Sequence, residues 1–350
     1  MNLLEAFRHQ ALSCAALGSP FMAQLLNVLA DNWPQESALA KKFAGFDGDI
    51  GPAGHSLPLR TAAGLHALVL TRRDAGLIAV YPPNQPSDSA VRDAVLNALE
   101  THTAFLDDWT NSPPQTNEVR RSAALIAGAQ VAVSHFDLPL HLSELGASGG
   151  LNLMWDHYAL ELSGTRFGPD MPVLTLTPDW TGAMPPARTP RIAARAGVDL
   201  NPLDPQRGDH LLRLTAYLWP DQPERLSLTR AAASVMTAQI DTGDAIDWLS
   251  RRLASAPQGR LHLIQHSVAW QYFPAAAQAK GKALIEAAGA RASRDRPLGW
   301  LSMESDGDTT GGKGAALTLQ LWPGNITFDL GRADFHGRWI NWHYDDATLH

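Results

Sequence analysis

Residues 139–158 read PLHLSELGASGGLNLMWDHY: an apolar run ending in an acid, a turn of small residues, then a new periodic segment. Two chemistries use such a turn. From Glu144 the string is acid-x-Gly-x-Ser-x-Gly, close to the nucleotide loop of a Rossmann-type fold. There Gly146 and Gly150 would let the backbone approach a ligand, and the next helix N-terminus would favour negative charge. From Gly146 the same residues spell Gly-x-Ser-x-Gly, the nucleophile elbow of a serine hydrolase, with Ser148 as nucleophile. The hydrolase alternative finds an Asp and a His later in the chain, with His336 of DFHGRW as third member. Against it, no HGGG-like oxyanion loop precedes the turn, and the preceding residues are mainly helical in pattern.

The nucleotide-loop reading accounts for more residues. The second strand of such a fold ends in an acid for the ribose hydroxyls, and GVDLNP supplies Asp199. The third ends near a polar residue for the adenine, and DTGDA supplies Asp244 beside Ala245. A fourth strand, RLHLIQHS, brings His266 and Ser267 to its C-terminal end, where ligands of open α/β sheets bind. Asn152, just past the turn, joins the cofactor set. His266 is the candidate general base toward a substrate hydroxyl or amine; the competing expectation is a core histidine bonded to a carbonyl. The Ser148 hydroxyl would bond the ligand or cap the following helix. In QTNEVRR (115–121), Asn117 and Glu118 are candidates for a substrate amine, with Arg120 or Arg121 as carboxylate partner. A plain helix N-terminus with solvated charges is the bland alternative.

These residues need elements to hold them. Leu3, Phe7, Ala11 and Cys14 fall at helical spacing, as do Phe21, Leu25, Leu26 and Leu29, and residues 1–135 read as a helical cap or lid. From 136 to 350 strands alternate with helices, with an insertion near 160–190. Strands are expected at 140–145, 195–199, 236–240, 261–266 and 298–303, neighbours in one mainly parallel sheet. LNLMWDHYALEL starts as a helix, and ALTLQLWP and ITFDLG form a hairpin around Gly324 and Asn325 that supplies an antiparallel edge.

Composition narrows the function classes. Of 350 residues 45% are hydrophobic and 18% charged, enough for a sizeable core. A net charge of −7 argues against nucleic acid as the main partner, since phosphate binding needs clustered Lys and Arg. Cys14 is the only cysteine, so neither an intrachain disulfide nor a cysteine metal cluster is possible, which suits a reducing cytoplasm. The start lacks a signal-peptide pattern and no window is apolar enough to span a bilayer, so no membrane partner is expected. The 13 histidines form no HExxH and no ligand-spaced group, so no metal is expected either. The eleven tryptophans read as core packing. SDGDTTGGKGAA (305–316) is a glycine-rich loop without Walker spacing.

ELGASGGLNLMWDHY, QTNEVRR, GVDLNPLD, YLWPDQPERL, the strand ending in HS, and WPGN…HGRWINW together resemble an uncharacterised bacterial family. That family is a domain of unknown function grouped with S-adenosylmethionine (SAM)-dependent, methyltransferase-like Rossmann folds. The resemblance runs from QALSCAALGSPF to HGRWINW; other members often read Ser-Ala-Gly where this chain has Ser148-Gly149-Gly150. It implies an α/β class I methyltransferase-type sheet, helices on both faces, preceded by the helical domain. The implied cofactor is SAM, and the implied reaction is methyl transfer to a small molecule or small protein. A non-catalytic SAM- or nucleotide-binding module is a further alternative.

Overall fold

A computed structural model describes residues 1–51, 54–307 and 313–345; part of the glycine-rich tract, 308–312, lies outside them. The chain divides into two compact units, Met1–Thr116 with Arg207–Ser227, and Asn117–Gln206 with Leu228–His350.

The first unit contains α1 (Leu3–Ala16), α2 (Pro20–Asn32), α3 (Ala38–Ala44), α4 (Leu57–Leu70), α5 (Ala75–Val80), α6 (Asp88–Thr101) and α7 (Thr103–Trp109). Capping residues set the starts. Asn2 and Glu5 form a reciprocal capping box, and Ser19, Ser37, Asp74 and Ser87 each accept an amide of the first turn. The expected α1 face is realised: Phe7, Ala11 and Cys14 are buried with Leu25, Leu29, Leu65 and Leu68. Burial pushes the Cys14 thiol up to about 11, so it packs as an inert small apolar group. α8 (Ser122–His135) belongs to the second unit, and α9 (Gly208–Ala216) returns to the first.

In the second unit the strands are β1 (Leu140–Leu145), β2 (Tyr158–Leu162), β3 (Thr165–Phe167), β4 (Leu174–Leu176), β5 (Asp179–Thr181), β6 (Ile192–Asp199), β7 (Gln239–Thr242), β8 (Leu261–Ser267), β9 (Leu298–Glu304), β10 (Ala315–Trp322), β11 (Ile326–Ala333) and β12 (Trp339–Trp342). Nine form one sheet in the order β5-β12-β11-β10-β9-β8-β1-β6-β7. The run β7-β6-β1-β8-β9 is parallel throughout, so the five expected strands are neighbours, with the third at 239–242 rather than 236–240. The chain passes outward from β1 through β6 and β7, then resumes on the other side with β8. The β1/β8 boundary is therefore where the winding direction reverses.

Three sequence expectations are corrected. The β10–β11 hairpin turns at Gly324–Asn325 as expected but is not an edge, since β12 and then β5, from the insertion, extend the sheet beyond it. Gly331 (φ +116°) makes this possible: a Cβ there would lie 2.0 Å from the Asn341 carbonyl oxygen. The segment after the glycine turn is a seven-residue 3-10 stretch, Leu151–His157, not an α-helix, and it runs straight into β2 of a small sheet ordered β3-β2-β4. Finally, α8 does not group with the N-terminal helices. Residues 122–133 are buried all round, so its periodicity names no face. Gly128 lets it lie on the sheet, where a Cβ would meet Leu301 at 2.5 Å.

On the opposite face α11 (Ala245–Ala254) and α12 (Ala275–Gly289), which follow α10 (Pro223–Ser234), cover Leu145, Ile264 and Leu298 with Trp248, Leu249 and Ile285. Among the described residues no helix is long and apolar enough to cross a membrane.

Candidate functional site

β1 delivers its last residues to the reversal point and then turns sharply. Gly146 (φ +68°), Ser148 (φ +52°) and Gly150 (φ +72°) all adopt left-handed backbone, which costs an L-residue about 1–2 kcal/mol and glycine nothing. That requirement explains the glycines at 146 and 150 and singles out Ser148 as the strained member. The amides of the turn are mostly engaged. Ala147 donates to the Val198 carbonyl (3.0 Å) and Gly150 to the Ala147 carbonyl (2.7 Å). The Ser148 amide donates to Asp199 Oδ2 (2.8 Å) and the Leu151 amide to Asn117 Oδ1 (2.8 Å). The turn is thus held by the acid ending β6 on one side and by the 117–122 segment on the other. A Cβ at Gly146 would meet Ala269 at 2.5 Å, and one at Gly150 would meet Met236 at 2.4 Å, so both glycines also serve close packing.

The 117–122 segment does more than lead into a helix. Asn117 is buried against the turn, and Ser122 Oγ donates to Asn152 Oδ1 (2.8 Å). Glu118 caps the short 3-10 turn Val119–Arg121 and pairs with Arg120 (3.3 Å). Arg121 donates to the carbonyls of Phe335 (2.8 Å) and Ser267 (3.2 Å). The HGRW turn closes on the same segment, where a Cβ at Gly337 would meet the Arg120 carbonyl oxygen at 2.5 Å. Motifs separated by more than 200 residues in sequence therefore share one corner of the sheet.

Strand register then separates two groups. Glu144 sits beside Gln265, and Gln265 bonds Trp155 Nε1 (3.1 Å) and the Asn152 carbonyl (3.1 Å). Glu144 is only 2% exposed, and its Oε2 has no hydrogen-bond partner among the described residues. Burial, opposed by the Gln265 hydrogen bond and reinforced by the Asp199 charge, pushes its carboxyl up to about 8. A buried acid that is mostly neutral at pH 7, with one oxygen unpartnered, is a functional-site candidate on physical grounds.

His266, one residue beyond Gln265, faces the other side of the sheet. Its Nδ1 lies 2.7 Å from Glu304 Oε1, and Trp300 Nε1 donates to its Nε2 at 2.8 Å. An indole N–H only donates, so the imidazole carries its proton on Nδ1 and Nε2 is already accepting. The lone pair a general base would use is engaged, and the ring is 1% exposed, stacked on Trp270. Glu304 ends β9 and also accepts the amides of Ala269 (3.0 Å), Trp270 (3.1 Å) and Gln271 (3.3 Å). These bonds and His266 hold its carboxyl below the usual range despite burial. Between His266 and this nest lies Val268 at φ +53°, an outlier for a β-branched residue.

Of the other sequence candidates, Ser267 is buried at the end of β8 and its carbonyl takes the Arg121 bond. Asp244 caps α11, accepting from Ile246 and Asp247 (2.9 Å each), with Ala245 as the first helical residue. Sequence reasoning missed Gln265 and Glu304. Glu304 carries the signal that found Asp199, an acid at a strand's end; Gln265 becomes visible only through its register with Glu144.

No curated protein and no solved structure matches the chain. Residues 4–342 match the family described as "Uncharacterized protein conserved in bacteria (DUF2332)", and the chain belongs to that family.

Proposed function

We propose that this protein binds S-adenosylmethionine at the C-terminal ends of β1 and β6 and transfers its methyl group to a small molecule or small protein. The observation that carries the reading is Asp199. It ends the strand next to β1 and is bonded to the amide of the glycine turn, on the side of the reversal point where dinucleotide folds place the ribose-binding acid. A carboxylate offers roughly four lone-pair sites. Ser148 and Asn201 amides (2.8 and 2.9 Å) use two of them, which leaves acceptors for two ribose hydroxyls. The parallel strand order supports a Rossmann-like core of methyltransferase type. The 3-10 stretch after the turn and the engaged amides argue against a phosphate cradle, and SAM has no phosphate.

The cofactor supplies an activated methyl on a sulfonium. The chain's own residues then bind and orient: Asp199 for the ribose, the turn 146–150 and Asn152 for the backbone surface beneath it, Asn117 and Glu118 at its flank. Effective orientation alone accounts for large rate factors, so no base is required, which agrees with the engaged nitrogens of His266. Asp244 acts as a helix cap, and any adenine contact there falls to the backbone near Ala245. Calorimetric titration with SAM, S-adenosylhomocysteine and NAD tests the reading. The first two should bind at micromolar affinity, on the order of 8 kcal/mol. NAD binding without SAM binding would move the protein to an oxidoreductase, and SAM binding with no turnover on any acceptor to a non-catalytic module.

One observation favours a second reading, a serine hydrolase: Ser148 has the left-handed backbone of a nucleophile elbow. A fluorophosphonate probe labels activated serines covalently. Stoichiometric labelling of wild type, absent in Ser148→Ala, would establish that reading; no labelling is expected.

A further inference from the structure

Residues 268–273, which follow β8, border the glycine turn on the side away from Asp199, because β8 and β6 flank β1. Ala269 makes the contact: a Cβ built on Gly146 would lie 2.5 Å from the Cβ of Ala269, so only glycine fits beneath it. Asp199 and Asn117 hold the turn through its amides at 148 and 151. Gly146, the residue with the widest backbone choice, is restricted instead by this covering methyl group.

What places Ala269 is Glu304. The chain leaves β8 through left-handed Val268 and continues with Ala269 at φ −131°, ψ −48°. That bend aims the amides of Ala269, Trp270 and Gln271 at the two oxygens of one carboxylate, with Ala269 donating to both (3.0 and 3.1 Å). Successive amides converging in this way form a nest for an anion, and here the chain supplies the anion from the end of β9. Backbone strain at a β-branched residue persists only where surrounding bonds over-determine it, and these charge-assisted bonds do so at Val268. The far end of the loop is anchored separately. Gln278 Nε2 donates to the carbonyls of Trp270 (3.2 Å) and Phe273 (3.0 Å), and the Trp270 ring lies against Gly281 of α12. The near end, with Ala269, thus depends on Glu304 and on the Val268 amide bond to the Met303 carbonyl (2.8 Å).

We propose that Glu304 is a positioning residue for the glycine turn: by gathering the amides of residues 269–271 it seats Ala269 on Gly146 and so holds the turn in its ligand-binding geometry, without itself touching the ligand. The identity of that ligand rests on the cofactor reading; the coupling between loop and turn does not. Glutamine at 304 would remove the charge and set an amide NH2 against backbone N–H groups, which frees Ala269 from the turn.

A double-mutant cycle on the full chain tests this, with SAM titration and hydrogen exchange of peptides covering 146–150 and 268–273 as readouts. Ala269→Gly keeps every Glu304 bond and removes only the methyl group on Gly146. It should leave 268–273 protected, speed exchange in 146–150 about tenfold, and weaken SAM binding about threefold. Glu304→Gln should speed exchange in both peptides and weaken SAM binding about tenfold. In the double variant the loss should stay near tenfold rather than reach about thirtyfold, because the loop has already left the turn. A residue that merely supports the fold would give independent, multiplying losses, and that result would overturn the coupling. So would unchanged exchange in 146–150 in Ala269→Gly, a variant that decides the matter even if Glu304→Gln does not fold. Wild type that fails to bind SAM would sink the cofactor reading instead, and the ligand-free exchange rates of the same cycle would still judge Glu304.

Discussion

Replacing Glu144 by Gln should make the protein more stable at neutral pH, by an amount that the burial of this carboxyl dictates. Its ordinary value is 4.5, and in the fold it is pushed up to about 8. The native state therefore holds the proton more tightly than the unfolded chain. Stability from this group is fully present below about pH 4.5 and is lost as pH rises through about 8. The loss runs at about 1.4 kcal/mol per pH unit, so at pH 7 the native state has forfeited roughly 3 kcal/mol relative to pH 4.5. That is a large share of the roughly 5–15 kcal/mol by which domains are stable. Glutamine keeps the shape of the neutral acid and leaves the same unpartnered corner at Oε2, but it does not titrate. Urea unfolding of both proteins at pH 5, 6, 7 and 8, with midpoints and m-values compared, gives the difference curve. The two should meet near pH 4.5 to 5 and diverge to about 3 kcal/mol in favour of the variant at pH 7. Parallel curves, or a wild type more stable than the variant at pH 7, would refute the claim that the fold holds the Glu144 carboxyl protonated at a cost in stability.

Three further outcomes follow from the same corner of the sheet. Asp199→Ala should lower stability and SAM affinity by roughly 1.5–3 kcal/mol for each charge-assisted bond lost, while Ser148→Ala should stay within about 1 kcal/mol in urea unfolding and calorimetry; the reverse order would contradict the cofactor reading. Glu304→Gln should destabilise by at least about 3 kcal/mol, because an amide nitrogen would replace an acceptor that faces backbone N–H groups. Since its carboxyl lies below the usual range, wild type should hold that stability above the ordinary carboxylate pKa and lose it as pH falls through the depressed value, opposite in sign to Glu144. At Val268 (φ +53°) the glycine variant should be more stable than the alanine variant by about 1 kcal/mol; alanine being the more stable would remove the inferred backbone strain.

Much of the framework was written in local sequence. The five parallel strands, the glycine turn and the N-terminal helices with their Ser, Asp and Asn caps follow from apolar periodicity and cap chemistry, which act over a few residues. Asp199 at a strand's end and Asn117 near the turn were legible as residue types at the right places in the chain. Their partners were not, because hydrogen bonds across 51 and 34 residues depend on which strands become neighbours. α8 was misgrouped because an Ala- and Gly-rich helix buried on every side has no face to read. The helix expected after Gly150 became a 3-10 stretch because its first residues are tied to Asn117, Ser122 and Gln265, contacts that exist only in the assembled sheet. The sharpest difference concerns His266 and Glu144. Sequence placed both near one ligand, His266 as a candidate base and Glu144 as a cofactor-binding residue, but strand alternation turns them to opposite faces. Trp300 then takes the imidazole's free nitrogen, while burial leaves the carboxyl mostly neutral, with its Oε2 unpartnered among the described residues. Residue type was set by the sequence; protonation and availability were set by neighbours that only tertiary packing brings within 3 Å.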